Sequence, residues 1–266
     1  MSCLDDKNST RIYNLIDREG ASLTMFDNCK IKSVNMMIDP TFDFRTDAKG
    51  KDPDSHSATL KRYQRYIYSK PLPNGEIMEL SEDLNWKDFW FSSDSILHGF
   101  IGWEKYKHIT DNADSMLIKK FEENDYRIGG EIIYPCYRVS GTQTINQARG
   151  CNPRIRDRID LTMECIRRFY AGEDSPLYKC LNGYKPFFDL FVDFKGYTDF
   201  FFMHDLVTDD YSAIRFLTWF DGFSSNFPLP KNIEEYHDYL RNVMAFSKSR
   251  NKRIAEWSNQ SYTRSR

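Results

Sequence analysis

NPRIRDRIDLTMECIRRFYAG (Asn152–Gly172) is the stretch from which the architecture can be read. Ile155, Ile159, Met163, Ile166 and Tyr170 recur at helical spacing. Asn152 is a preferred N-cap residue and Pro153 suits the first helical position. Gly172 is the usual helix stop, because it enters the left-handed region at no steric cost. The spacing therefore predicts a helix over Pro153–Ala171. Just upstream, IGGEIIY (Ile128–Tyr134) predicts a strand running into Pro135, and Arg138–Gly150 reads as the loop between them.

Working outward, the same mixture continues. Ser55 or Ser57 can cap a helix over Ala58–Tyr68, with Leu60, Tyr63 or Gln64, and Ile67 along one side. KPLPNGE (Lys70–Glu76) breaks it with turn chemistry. Glu76–Leu80 and Asp88–Phe91 predict short strands, as does Ile31–Ile38 near the N-terminus. A helix is expected over Asp114–Glu123 with Met116, Leu117 and Phe121 facing inward, and a shorter one over Lys185–Asp193. The apolar runs Tyr197–Val207 and Ala213–Phe220, separated by TDDYS, predict a β-hairpin. Asn232, followed by Glu235, opens a last helix with Tyr236, Leu240, Val243, Phe246 and Ile254 inside. Residues 1–30 and 258–266 read as loosely ordered termini. No repeat or linker is apparent, so residues 1–266 are expected to form one α+β domain, mostly antiparallel sheet packed with several helices.

Composition narrows the function classes. The 266 residues carry 37 basic and 39 acidic side chains, a formal net charge of −2, so no global field favours nucleic acid or membrane. No apolar run approaches the ~18 residues of a membrane helix. MSCLDDKNSTR at the start lacks the apolar core of a secretory signal, and a cytoplasmic location is expected. Six cysteines without a CxxC pair, and five histidines without ligand spacing to them, argue for reduced thiols and against zinc. Aromatics at 15% predict a ring-rich core.

Three constellations carry chemistry. Between Arg138 and Arg168, seven arginines face three acids. Arg138 and Arg149 lie in the predicted loop before a helix N-terminus, an anion-favouring place, with Thr144 and Asn146 as neutral donors and Arg158 in the first turns. That reads as a cradle for phosphate. The competing reading is an exposed helix face paired with itself through Arg156–Asp160 and Glu164–Arg168 at i,i+4. DPDSHS places Asp52, Asp54 and His56 at alternate positions, suited to general acid–base work or a divalent cation, or simply to turns and caps. The acids around the expected hairpin (Asp199, Asp205, Asp209, Asp210, Asp221) include a His204-Asp205 pair, or form only a solvated turn. The GxSxG, GxxxxGK[ST], GxGxxG and HExxH motifs are all absent. Cys136 and Cys151 flank the arginine-rich loop, where a thiol pKa can be lowered.

FDFRTDAKGKDPDSHSATL (Phe42–Leu60), SKPLPNGE (Ser69–Glu76), SSDSI (Ser92–Ile96), RVSGTQTINQARG (Arg138–Gly150), DRIDLTMECIRRFY (Asp157–Tyr170) and DFFFMHDLV (Asp199–Val207) occur in this order. Together they resemble a bacterial, cytoplasmic domain-of-unknown-function family over roughly residues 39–254. The chain departs from that family's pattern at Met203-His204, where less polar or amide residues are expected. The resemblance implies one domain and brings no activity, cofactor or site residue.

The expectation from sequence is therefore an enzyme or binder of a phosphorylated ligand, a nucleotide or nucleic acid. Arg138, Thr144, Asn146, Arg149 and Arg158 would bind it, and Asp54, His56 and Asp160 would supply acid–base chemistry. No metal site is assigned, and the cofactor and oligomeric state stay open. The alternative is a non-enzymatic protein–protein interaction or phage-defence component.

Overall fold

In the computed structural model, residues 36–139 and 141–264 are described. The chain first makes a four-residue helix α1 (Pro53–His56) and, after it, α2 (Ala58–Tyr68). The Ser57 hydroxyl accepts from Leu60 N at 3.0 Å, which makes Ser57 the cap. Leu60, Tyr63, Gln64, Ile67 and Tyr68 are all buried. Strands β1 (Asn85–Trp86) and β2 (Phe89–Ser95) follow, then α3 (Lys107–Thr110), α4 (Ser115–Glu122) and β3 (Glu131–Pro135). The sheet is antiparallel in the order β1-β2-β3, with Ser95 opposite Glu131 and Asp94 opposite Ile132. The second half is helical: α5 (Ile145–Cys151), α6 (Ile159–Ala171), α7 (Tyr178–Gly183), α8 (Lys185–Asp189), α9 (Phe194–Phe201) and α10 (Ile233–Arg264). The fold is α+β, with helix well in excess of strand.

Several expectations change for identifiable reasons. The helix anticipated from Pro153 starts only at Ile159. Asn152 does cap, but the group it caps is Arg154 N at 2.9 Å in a turn. Arg156 and Asp157 then both enter the left-handed region, at φ 52° and 57°, and no helix passes through two such residues. Part of the presumed loop is itself helix: Thr144 and Gln147 form a reciprocal capping box that opens α5. The expected 197–207/213–220 hairpin reduces to one bridge, Val207 with Ile214. Asp193 accepts from Gly196 N at 2.7 Å and starts α9 instead, which buries Phe194, Tyr197, Thr198, Phe200 and Phe201. A continuous apolar run of that length does not distinguish strand from buried helix. Glu76–Leu80 keeps only the bridge of Ile77 to Pro71, and Met116 is exposed while Phe121 is buried. The Ile31–Ile38 strand falls largely outside the described residues, as do residues 1–30.

The expectations that hold are those with a cap and a stop. Asn232 accepts from Glu235 N at 2.8 Å and Glu235 returns to Lys231 N at 2.9 Å, opening α10. That helix continues through the polar tail to Arg264, where fraying had been expected. Gly172, at φ 71°, ends α6 as anticipated. Rings fill the core, with Phe187, Phe188, Phe191, Tyr197 and Phe201 stacked edge and face between α8 and α9.

Helix α10 lies against the turn that leads into β3. A Cβ on Gly129 would meet the Ser247 carbonyl at 2.3 Å, so only glycine lets the two backbones come this close. The buried Arg250 side chain on α10 donates to the Gly129 and Glu131 carbonyls at 2.9 and 2.8 Å. This clamp fixes the start of β3, and with it Glu131.

Candidate functional site

The sheet pleat sends alternate side chains to opposite faces. Asp94 shares a face with Ile132 and Tyr134, whereas Ser93 and Glu131 lie on the other. The ends of β2 and β3 thus carry an acid on each face, and elements from both halves of the chain close on them.

On the Asp94 face, the fully buried Arg149 of α5 reaches up over the Tyr134 ring and forms an ion pair with Asp94. Its remaining donors go to Thr162 Oγ1 at 3.1 Å and the Asp157 carbonyl at 3.2 Å. Asn146, one turn earlier on α5, also faces Asp94 and helps to hold its pKa down. Asp157 comes back against the same helix because position 150 has no side chain: a Cβ there would meet Asp157 Oδ2 at 2.9 Å. The paired left-handed residues Arg156 and Asp157 make that return, and the Arg156 guanidinium stacks 5.2 Å over Trp103. Backbone strain of this kind concentrates at functional sites.

His98 completes this side. Its Nε2 lies 3.1 Å from the Ser95 carbonyl. A carbonyl only accepts, so Nε2 carries the proton and Nδ1 keeps its lone pair. Burial pushes the imidazole pKa down, against the pull of Asp157 and with the push of Arg149. Burial also lifts the Asp94 carboxyl to about 7, Arg149 opposing and Asp157 and Asp54 reinforcing. With 15% of its side chain still exposed, Asp94 is an acid–base group in reach of solvent, titrating near neutrality.

On the other face, Asp54 of α1 accepts from Ser95 N at 3.1 Å. The fully buried Glu131 accepts from Ser93 Oγ at 3.2 Å, and Gln64 of α2 donates to that same hydroxyl at 2.7 Å. Burial raises both pKa values; Asp54 pushes Glu131 further up, whereas Glu131 pulls Asp54 part of the way back down.

Of the residues singled out from sequence, Asp54, Asn146 and Arg149 meet here. Thr144 serves α5 as its cap. His56 is exposed and turned to the Asp52 carbonyl at 3.1 Å, and Arg138 is exposed on the surface. Arg158 and Asp160 form a separate, fully buried ion pair at 2.5 Å. Arg158 also donates to the Trp219 and Pro228 carbonyls, and Asp160 accepts from Leu217 N at 2.9 Å. This pair moors the irregular 217–229 segment. Glu164 pairs with Arg168 at 2.7 Å as expected, and with Arg167 as well. Arg156 is turned to Trp103, away from the anticipated Asp160 partner. His204 pairs with Asp199 at 2.9 Å, while Asp205 is held by Arg253. Cys136 does not acquire the low pKa considered for it, since burial raises it. Among the described residues no group of histidines, cysteines and acids has metal-holding geometry.

Asp94, His98, Glu131 and Asp157 were not singled out as site residues. SSDSI and HG look like ordinary strand-end polarity, and their convergence depends on pairings across 30 to 60 positions of chain. The one local signal was Gly150 at the end of α5, read as part of a loop.

The molecule is thus an α+β chain that gathers carboxylates, an arginine and a histidine at the end of a short antiparallel sheet. The chain belongs to a family of unknown function, DUF6994, whose model matches residues 38–254. No curated protein and no solved structure matches it. No helix among the described residues is long and apolar enough to cross a membrane.

Proposed function

We propose that the chain is an acid–base enzyme acting on an uncharged or cationic substrate that bears hydroxyl or amine groups. The observation that carries this reading is Asp94, partly exposed and titrating at about 7 between Arg149 and Asn146. A group with that pKa can take and return a proton at neutral pH. In this reading Asp94 transfers the proton, and His98 accepts a second one at Nδ1. Arg149 anchors the carboxylate from below without touching substrate.

The charge balance sets the substrate class. Arg149 is the guanidinium at the centre, and each of its three nitrogens already donates, to Asp94, Thr162 and the Asp157 carbonyl. The carboxyls of Asp94 and Asp157 act on it directly, and those of Asp54 and Glu131 lie across the sheet. An anion meets a net negative surround, so a phosphorylated ligand, the expectation from the arginine-rich sequence, loses its support. Arg158 cannot restore it, because its guanidinium is enclosed by Asp160 and two carbonyls.

The test is a thermal-shift panel of polyols, amino sugars, polyamines and nucleotides on the full chain and on Asp94→Asn. Stabilisation by a neutral or cationic compound, lost in Asp94→Asn while the far-ultraviolet dichroism is retained, is the expected result. Stabilisation by nucleotides that survives Asp94→Asn overturns the reading.

A further inference from the structure

Asp54 and Glu131 each have one carboxylate oxygen supplied with a donor, Ser95 N for the first and Ser93 Oγ for the second. Their other oxygens, Asp54 Oδ1 and Glu131 Oε1, are buried and receive no hydrogen bond from any donor group. Glu131 is the register partner of Ser95, whose N–H holds Asp54, so the two carboxyls meet on this face within hydrogen-bonding reach of each other. Two ionised carboxylates have only acceptors and cannot bond to each other. One proton between them makes that bond possible. Each bare oxygen then has its partner, and the cost of two uncompensated buried acceptors disappears.

We infer that Asp54 and Glu131 share one proton at neutral pH and act as a single monoanionic unit behind Asp94. Glu131 is then a positioning residue, acting on Asp94 through the charge of the pair.

The surroundings favour one proton over none. Asp52, the residue that caps α1, adds negative charge beside Asp54, and Asp94 on β2 adds it beside both. The Tyr68 hydroxyl on α2 and the Tyr126 hydroxyl ahead of β3 are neutral near pH 7, and burial holds both above their usual range. The nearest buried cation, Arg250 on α10, spends its donors on the Ile128, Gly129, Glu131 and Phe201 carbonyls and on Tyr68. Arg149 is committed on the opposite face of the sheet. Among the described residues no cation pairs with either acid, so removing the last shared proton would leave two adjacent buried charges. Like-charged carboxyls at such range do not ionise together.

The inference makes a specific electrostatic prediction. Glu131→Gln replaces a proton-sharing acid with an amide that donates to Asp54 Oδ1. The pair carries one negative charge before and after. Asp54→Asn is the mirror-image change, with the new amide donating to Glu131 Oε1. Neither should move the Asp94 titration midpoint, whereas Asp54→Asn with Glu131→Gln removes the charge and should lower it.

The experiment is a carboxyl-carbon NMR titration of the full chain, isotope-labelled at Asp and Glu, in these four forms. The expected result is one carboxyl resonance still protonated at pH 7 in the wild type. It should be absent from either single variant, with an unshifted Asp94 midpoint. A lower Asp94 midpoint in the single variants would mean that both acids were ionised, and would overturn the inference. If one variant fails to fold, the other carries the same prediction. The inference leans on the acid–base reading of Asp94 only for its use. The titration needs no ligand, so its failure leaves that reading standing, and a failed ligand panel leaves the shared proton standing.

Discussion

Replacing Arg158 with methionine removes the positive half of an ion pair in which neither partner has any solvent exposure. Asp160 then loses two charge-assisted hydrogen bonds, from Nε at 3.1 Å and Nη2 at 2.5 Å, and keeps only Leu217 N. The Trp219 and Pro228 carbonyls lose their donor at the same time. Breaking a buried pair on one side costs about 3–5 kcal/mol. For a chain of this size roughly 2–4 °C of melting temperature goes with each kcal/mol, so Arg158→Met should melt about 6–20 °C lower. A second variant separates lost charge pairing from lost packing. Arg158→Met with Asp160→Asn retains an acceptor for Leu217 N and leaves no buried charge, so it should recover most of the loss. Thermal unfolding followed by circular dichroism measures both. A single variant that melts within about 2 °C of wild type, below one kcal/mol on the same scale, refutes the structural assignment. Arg158 would then be free for a ligand, as the sequence first suggested.

Two further predictions concern the centre. Asp94 at about 7 and Asp125 at about 6, with Asp54 and Glu131 also raised, bind more protons in the folded than in the unfolded chain. Their stabilisation is complete below the unfolded pKa of about 4 and is lost as pH rises through the folded values. His98, His204 and Lys70, all lowered, act the opposite way but are fewer. The urea midpoint should therefore be higher at pH 5 than at pH 8, and the reverse order would show that the carboxyls are not buried as described. Gly150→Ala places a methyl 2.9 Å from Asp157 Oδ2 and must push that carboxylate off the helix. Asp157 raises the His98 pKa, so the His98 titration midpoint, read from imidazole proton shifts, should fall. An unchanged midpoint would detach Asp157 from the site.

What could be read from the chain is a matter of range. Helices bracketed by local chemistry, Ser57 to Tyr68 and Asn232 onward, were legible because cap and stripe lie within a few residues of each other. The start of α6 was misplaced by six residues (Pro153 against Ile159) because Asn152 and Pro153 serve equally well to open a turn, and the left-handed Arg156 and Asp157 carry no signature that distinguishes them from helical residues. The misreading of α9 as a strand has the same root, since DFFF satisfies either period when every neighbour is apolar. The convergence at the sheet end was hidden for a different reason. Asp54 and Arg149 were picked out for their residue types, yet their partners Glu131 and Asp94 are fixed by strand register and by a helix packed from the far end of the chain. Arginine was the most misleading signal. Local excess of positive charge predicts an outward, anion-seeking face, but Arg149, Arg158 and Arg250 have no exposed surface. A chain with so little sheet must satisfy its irregular carbonyls some other way, and a guanidinium carries five donors on one side chain. Arg158 ties 217–229, Arg250 ties 128–131, and Arg149 ties Asp157 to Asp94. Burying three cations this way leaves the carboxyls at the sheet end outnumbering the charges that could neutralise them. Burial in the frame these arginines hold raises Asp94 toward neutrality, with Arg149 opposing the rise and Asp157 and Asp54 adding to it.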